Sequence, residues 1–177
     1  MCQKQLNAQV KKLFQYEFTG TFQEIFRDEK TKGEVFASGI GISPSSALEV
    51  IDIALRTYED FNTIMPVLIT LRFVKGTKAT LGFTKYKPTC VIELDGLNTQ
   101  NMQEYVNLVW ELVEQAGIPF TMHWGKFNEH LNSKRIKAMY GPKRTQWIKS
   151  RETLLSAEVR RVFTNDFLKR VGLCNIN

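Results

Sequence analysis

The tetrapeptide His123-Trp124-Gly125-Lys126 concentrates more potential chemistry than any stretch of similar length in the chain. It follows a strand-like run and precedes a helical one, a place where loop residues face ligands. Gly125 lets the backbone turn or approach a flat ligand, Trp124 offers a stacking surface, and His123 and Lys126 offer hydrogen-bond donors. A plainer reading, a core tryptophan between a surface histidine and a surface lysine, stays open beside it. Glu93 and Asp95 alternate by two and so share one face of a predicted strand, where a solvated edge explains them better than a site does. Other constellations are weaker. His123 and His130 lie seven apart without the further ligands of a zinc site, so no metal is expected. There is no Gly-x-Ser-x-Gly elbow, and Cys90 falls in a predicted buried strand with no evident base.

The elements that must position these residues can be read from periodicity. Leu6, Val10, Leu13 and Phe14 predict a helix over 4–18, broken at Thr19-Gly20-Thr21. Residues 34–40 predict a strand. Ser43-Pro44 then suits a helix cap and first turn, and the helix runs to about residue 60 with Ala47, Val50, Ile51, Ala54, Leu55 and Tyr58 on one face. Strands are predicted over 66–74, 79–84 and 89–95, the last ended by Gly96. A helix over 99–116 turns Met102, Tyr105, Val106, Val109, Leu112 and Val113 inward, and a strand over 119–123 follows. Short helical segments are predicted near 128–138, 143–150 and 158–171. This order predicts an α+β fold: an antiparallel sheet covered by two helices, a ferredoxin-like unit with an added hairpin and a helical C-terminal extension. The expected organisation is an N-terminal helix and connector over 1–33, an α+β domain over 34–126 and a basic helical extension over 127–177.

Composition sets the class. The chain has 177 residues, 43% hydrophobic and 24% charged, which excludes disorder, a collagen-like fibre and a disulfide scaffold. No apolar run approaches the ~20 residues that span a bilayer, and Met1-Cys2-Gln3-Lys4-Gln5 has no apolar leader, so a cytoplasmic protein is expected. Cys2, Cys90 and Cys174 read as free thiols of a reducing compartment. The formal charge of +6 is uneven: residues 134–177 hold 11 Lys/Arg against 3 Asp/Glu, a balance of +8. Interleaved with Tyr140 and Trp147, these cations suit phosphate contacts and stacking, yet no nucleic-acid motif accompanies them, so nucleic acid is not the expected partner. The same charge suits an anionic membrane surface or an acidic protein partner.

The C-terminal pieces fall in a recognisable order: His123-Trp124-Gly125-Lys126, Tyr140-Gly141, Trp147 with Arg151, Phe163-x-Asn165-x-Phe167-Leu168, and Gly172-Leu173. This order resembles the C-terminus of the sugar-1,4-lactone (D-arabinono-lactone) oxidases, FAD-linked flavoenzymes of the vanillyl-alcohol oxidase type. The resemblance is strongest over 119–173 and extends over 34–95.

The resemblance implies a substrate-binding, or cap, half of a two-domain oxidase that oxidises an alcohol carbon by hydride transfer to flavin. It implies catalytic roles for Lys126 and Arg72, with Lys126 near the reacting centre. His123, Trp124 and Thr70 would bind substrate, and Gly125 and Lys126 would face the cofactor. Related enzymes carry a Glu-x-Arg on a cap strand. Here the matching triplet is Thr70-Leu71-Arg72, so Thr70 stands where the carboxylate would be and a hold on sugar or polyol hydroxyls is missing. Arg72 also has an ordinary reading, an edge arginine paired with Glu93 or Asp95. The FAD-binding half has no counterpart in the sequence. Gly39-Ile40-Gly41 and Gly76 lack the context of a phosphate cradle. FAD is therefore expected only with a separate FAD-binding domain or subunit, the implied partner beside a small alcohol or sugar-lactone substrate, and the chain alone is expected to be inactive. The alternative is a non-catalytic protein- or nucleic-acid-binding module that uses the basic C-terminal helices.

Overall fold

The computed structural model describes residues 20–21, 34–61 and 63–174. The chain divides into two compact units, residues 1–35 and 36–177, and the description below concerns the second. The helix predicted over 4–18 lies outside the described residues.

β-Branched and apolar runs form strands β1 (Val35–Ile42), β2 (Val67–Val74), β3 (Thr89–Leu97) and β4 (Phe120–Met122). Helix α1 (Ala47–Asp60) follows β1, and α2 (Gln100–Gln115) follows β3. The entry to α1 differs from expectation. Ser43 precedes a 3-10 turn over Pro44–Ser46, and its hydroxyl pairs with Ser45 Oγ at 2.9 Å instead of capping the helix. At α2 the cap is regular: Thr99 Oγ1 accepts from the Met102 amide at 3.2 Å.

The sheet order is β2-β3-β1-β4, with β2 antiparallel to β3 and β1 antiparallel to β4. With α1 and α2 between strands, this is the ferredoxin-like β-α-β-β-α-β arrangement. Side chains alternate between the two sheet faces. Phe36, Ile40 and Ile42 of β1, Cys90, Ile92 and Leu94 of β3, and Phe120 and Met122 of β4 join one buried core with Val50 and Ala54 of α1 and Met102, Tyr105, Val106, Val109, Trp110 and Val113 of α2. The helices meet through Tyr105, whose hydroxyl donates to Ala54 O at 2.9 Å and whose ring sits edge-on to Tyr58.

The strand predicted over 79–84 is not formed. Residues 75–88 are a loop in which Leu81 O accepts from Trp124 Nε1 at 2.8 Å and Phe83 O from Thr121 Oγ1, while the Thr77 amide donates to Thr84 O at 2.7 Å. Alternating residue types were present, but those two donors take carbonyls that a ladder would need. The loop crosses the sheet face away from α1 and α2, above Gly41. A Cβ at Gly41 would lie 2.5 Å from Phe83 O and 3.2 Å from Thr121 Oγ1. Gly41→Ala should therefore lift the loop and cost about 1–3 kcal/mol, read as a lower urea midpoint. An unchanged midpoint would mean the loop does not rest on β1.

Four short helices follow: α3 (Ser133–Tyr140), α4 (Pro142–Leu154), α5 (Ala157–Val162) and α6 (Asp166–Arg170). The single segment expected over 158–171 is thus two helices, because Asn165 starts a new one by accepting from the Leu168 amide at 2.9 Å. Leu131, Ile136, Met139, Tyr140, Val171 and Leu173 belong to the same core as the sheet. Among the described residues, no helix is long and apolar enough to cross a membrane.

Candidate functional site

The register of β2 against β3 places Thr70 directly opposite Glu93, Leu68 opposite Asp95 and Arg72 opposite Val91. Directly opposed residues share a face, so Thr70, Arg72, Glu93 and Asp95 all project from one side of the sheet. That is the side opposite α1 and α2, since the intervening Ile92 and Leu94 belong to the core.

The loop after β4 folds back along β1. The His123 amide donates to Gly39 O at 2.9 Å, and the Phe127 amide donates to Ala37 O at 2.9 Å. Between these two anchors Lys126 reaches across β1 toward β3. Gly39 makes the crossing possible, because a Cβ there would lie only 3.0 Å from Glu93 Cγ. The Lys126 ammonium sits 2.7 Å from Glu93 Oε1 and 3.5 Å from Asp95 Oδ1. The other carboxylate oxygen, Oε2, accepts from Arg72 Nη2 and, at 3.3 Å, from Thr70 Oγ1. Glu93 is buried, at 3% exposure, so it needs these partners. Arg72 keeps 59% of its side chain exposed and Lys126 keeps 20%. Asp95 Oδ1 is buried and accepts no hydrogen bond despite the nearby ammonium.

His123 borders this cluster. Its Nδ1 accepts from the Gly125 amide at 3.1 Å, and its ring lies 4.5 Å from that of Phe83. Burial holds its pKa below the ordinary imidazole value, aided by the positive charges of Lys126 and Arg72, with a main-chain hydrogen bond opposing them. The imidazole is therefore neutral near pH 7, with the accepting Nδ1 leaving the proton on Nε2. The unfolded histidine binds its proton at a higher pH than the folded one, so this contribution is whole above the unfolded value of about 6.5 and falls away as pH drops through the folded pKa. An NMR titration should place His123 below free histidine, and Lys126→Met should bring it upward. A midpoint unmoved by that substitution would refute the electrostatic contact.

The sequence-derived candidates divide between two settings. Thr70, Arg72, His123 and Lys126 converge on one sheet face although they come from two distant segments. Trp124 does not present its ring there: it stacks on Tyr140 at 5.7 Å and 14°, meets Phe167 edge-on and donates to Leu81 O. Its surface is committed to packing the 75–88 loop against the C-terminal helices. Gly125 is exposed and contributes its amide to His123. Arg72 pairs with Glu93, the ordinary contact foreseen for it, and the same contact aims it at the cluster. Sequence reasoning passed over Glu93 and Asp95 as site members. Their signal was two carboxylates at period two in a strand otherwise apolar enough to be buried.

The basic tail has a structural use. Arg151 donates to Arg160 O at 3.0 Å and Thr164 Oγ1 at 2.8 Å, and Arg160 donates to Leu155 O at 2.7 Å. Arg170 binds the carbonyls of Asn128, Glu129 and Leu131, and Arg144 binds that of Gly172. Arg135 pairs with Glu114 at 2.6 Å and donates to His130 O. Five of the six arginines in 134–177 therefore tie carbonyls left over at helix ends and turns. Lys134, Lys137, Lys143, Lys149 and Arg161 are exposed, and they are spread over three helices. No family model matches the chain, and neither does any curated protein.

Proposed function

We propose that the chain is the substrate-binding cap of an FAD-dependent sugar-lactone or alcohol oxidase and works with an FAD-binding domain or subunit supplied separately. The observation that carries this reading is the convergence of Lys126, Arg72, Thr70 and His123, residues singled out from distant parts of the sequence, on the sheet face opposite α1 and α2. The residues suit the substrate side of a flavin ring. A cation held in place, a neutral imidazole donor and an exposed guanidinium can hold hydroxyl groups and favour developing negative charge. They do not suit the remainder of the cofactor. The turn from β1 into α1 is closed by Pro44 and by the Ser43–Ser45 hydroxyl pair instead of opening amides to a pyrophosphate.

When bound, FAD would accept the hydride from the alcohol carbon. The chain's own residues have three tasks in this reading. Lys126 orients the reacting hydroxyl and stabilises charge, Arg72 holds a second oxygen of the substrate, and His123 donates from Nε2. Co-expression with the product of the adjoining open reading frame tests the reading. Flavin absorbance with lactone oxidation is expected, and a pairing that binds flavin but oxidises no lactone or alcohol would reject it.

The second reading, a non-catalytic module using the basic helices, has the exposed cations of α3, α4 and α5 in its favour. The arginine contacts weigh against it, because most of the guanidinium groups are already spent on main-chain carbonyls. Phosphate-driven binding would weaken steeply with salt in an oligonucleotide titration.

A further inference from the structure

We propose that Glu93 is a positioning residue that holds Arg72 and Lys126 as one unit on the sheet face. The inference rests on reading that face as the substrate side.

The register carries the argument. Thr70 and Glu93 are directly opposed across an antiparallel pair, and opposed Cβ atoms lie ~4.5–5.5 Å apart. A carboxylate built from either position reaches the same patch of the face. Thr70 donates its hydroxyl to the Glu93 carboxylate at 3.3 Å. The two oxygens of Glu93 are divided, Oε1 to Lys126 and Oε2 to Arg72 and Thr70. Glu93 is buried beneath these cations, so it does not itself meet a substrate. It sets the position of the two groups that do.

Gly39 provides the room. A side chain there would press on Glu93 Cγ, 3.0 Å from where its Cβ would sit, so the bare β1 backbone lets the carboxylate extend toward Lys126. Asp95 does not replace it, since its Oδ1 is 3.5 Å from the ammonium and accepts no hydrogen bond. One carboxylate therefore joins cations from β2 and from the loop after β4. Losing it should free both at once.

The test exchanges the opposed pair. Glu93→Gln, Glu93→Thr and the exchange Thr70→Glu/Glu93→Thr are made in the full chain, with circular dichroism as the fold control. The readout is the His123 titration by NMR, because Lys126 and Arg72 both act on that imidazole. With both cations released from the carboxylate, Glu93→Gln should move the His123 midpoint up, toward that of free histidine. The exchange should return it toward wild type, with Lys126 side-chain signals recovering their wild-type shifts. If Glu93→Thr does not fold, the near-isosteric Glu93→Gln still decides the first point. A folded Glu93→Gln chain with an unmoved or lowered His123 midpoint overturns the proposal, as does a folded exchange that behaves like Glu93→Gln. None of these readings needs flavin. A chain that passes them but yields no oxidase with a partner sinks the functional reading alone.

Discussion

Under the proposed function, replacing Lys126 by Met should lower turnover of the chain reconstituted with its FAD-binding partner by ~10²–10³-fold, the scale of losing one preorganised electrostatic contact at a reacting centre. Fold and flavin content should be retained. The reason lies in the carboxylate beneath the lysine. Glu93 keeps Arg72 and Thr70 as partners when Lys126 is removed, and Asp95, which loses its 3.5 Å ion pair, keeps 24% of its side chain exposed to water. Methionine preserves most of the aliphatic stem that crosses β1, which leaves the packing over Gly39 in place. The effect should therefore appear in kcat and not in the denaturation midpoint. Equal turnover by the variant would remove Lys126 from the chemistry. A collapse in stability would assign it to the fold instead.

The largest expected loss of stability is at Trp110. Its side chain is 1% exposed, and its Nε1 donates to Ser38 Oγ at 3.0 Å. Ser38 in turn donates to Phe127 O at 3.0 Å, the residue after Lys126. The indole thus fills the core between α2 and β1 and also fixes the end of the loop that carries the lysine. Trp110→Ala should cost about 3–5 kcal/mol by urea denaturation. Trp110→Phe should cost about 1 kcal/mol for the lost hydrogen bond, beyond a smaller packing loss. If phenylalanine is as damaging as alanine, the indole N–H matters more than its volume. If both are neutral, the core does not depend on this ring.

The two helices were legible from a clean period, and the strands that build the sheet from short β-branched and apolar runs. Met102, Tyr105, Val106, Val109 and Val113 mark one helical stripe, and all are buried where the spacing puts them. Leu112, assigned to the same stripe, is only half-buried at its edge. The 79–84 segment misled because its residue types alternate, whereas its carbonyl partners, Trp124 and Thr121, lie some forty residues away and leave no local trace. Lys126 and Arg72 were legible as types with motif spacing. Their meeting was not, since it depends on the cross-strand register and on a glycine in a third strand. The same holds for Glu93, whose neighbours in sequence read as core while its neighbours in space are two cations. The +8 of the tail was plain in composition, but its use in holding helix ends depends on which carbonyls each arginine reaches.

In the proposed function this sheet face serves a flavin held by another domain. That role is tested most directly by isolating the chain under native conditions with its bound partner and recording the visible spectrum anaerobically. A flavin spectrum that bleaches when an aldonolactone or a simple sugar alcohol is added, and does not bleach when the chain carries Lys126→Met, is the predicted result. A colourless complex, or a flavin whose colour ignores both the substrate and the substitution, would contradict the account.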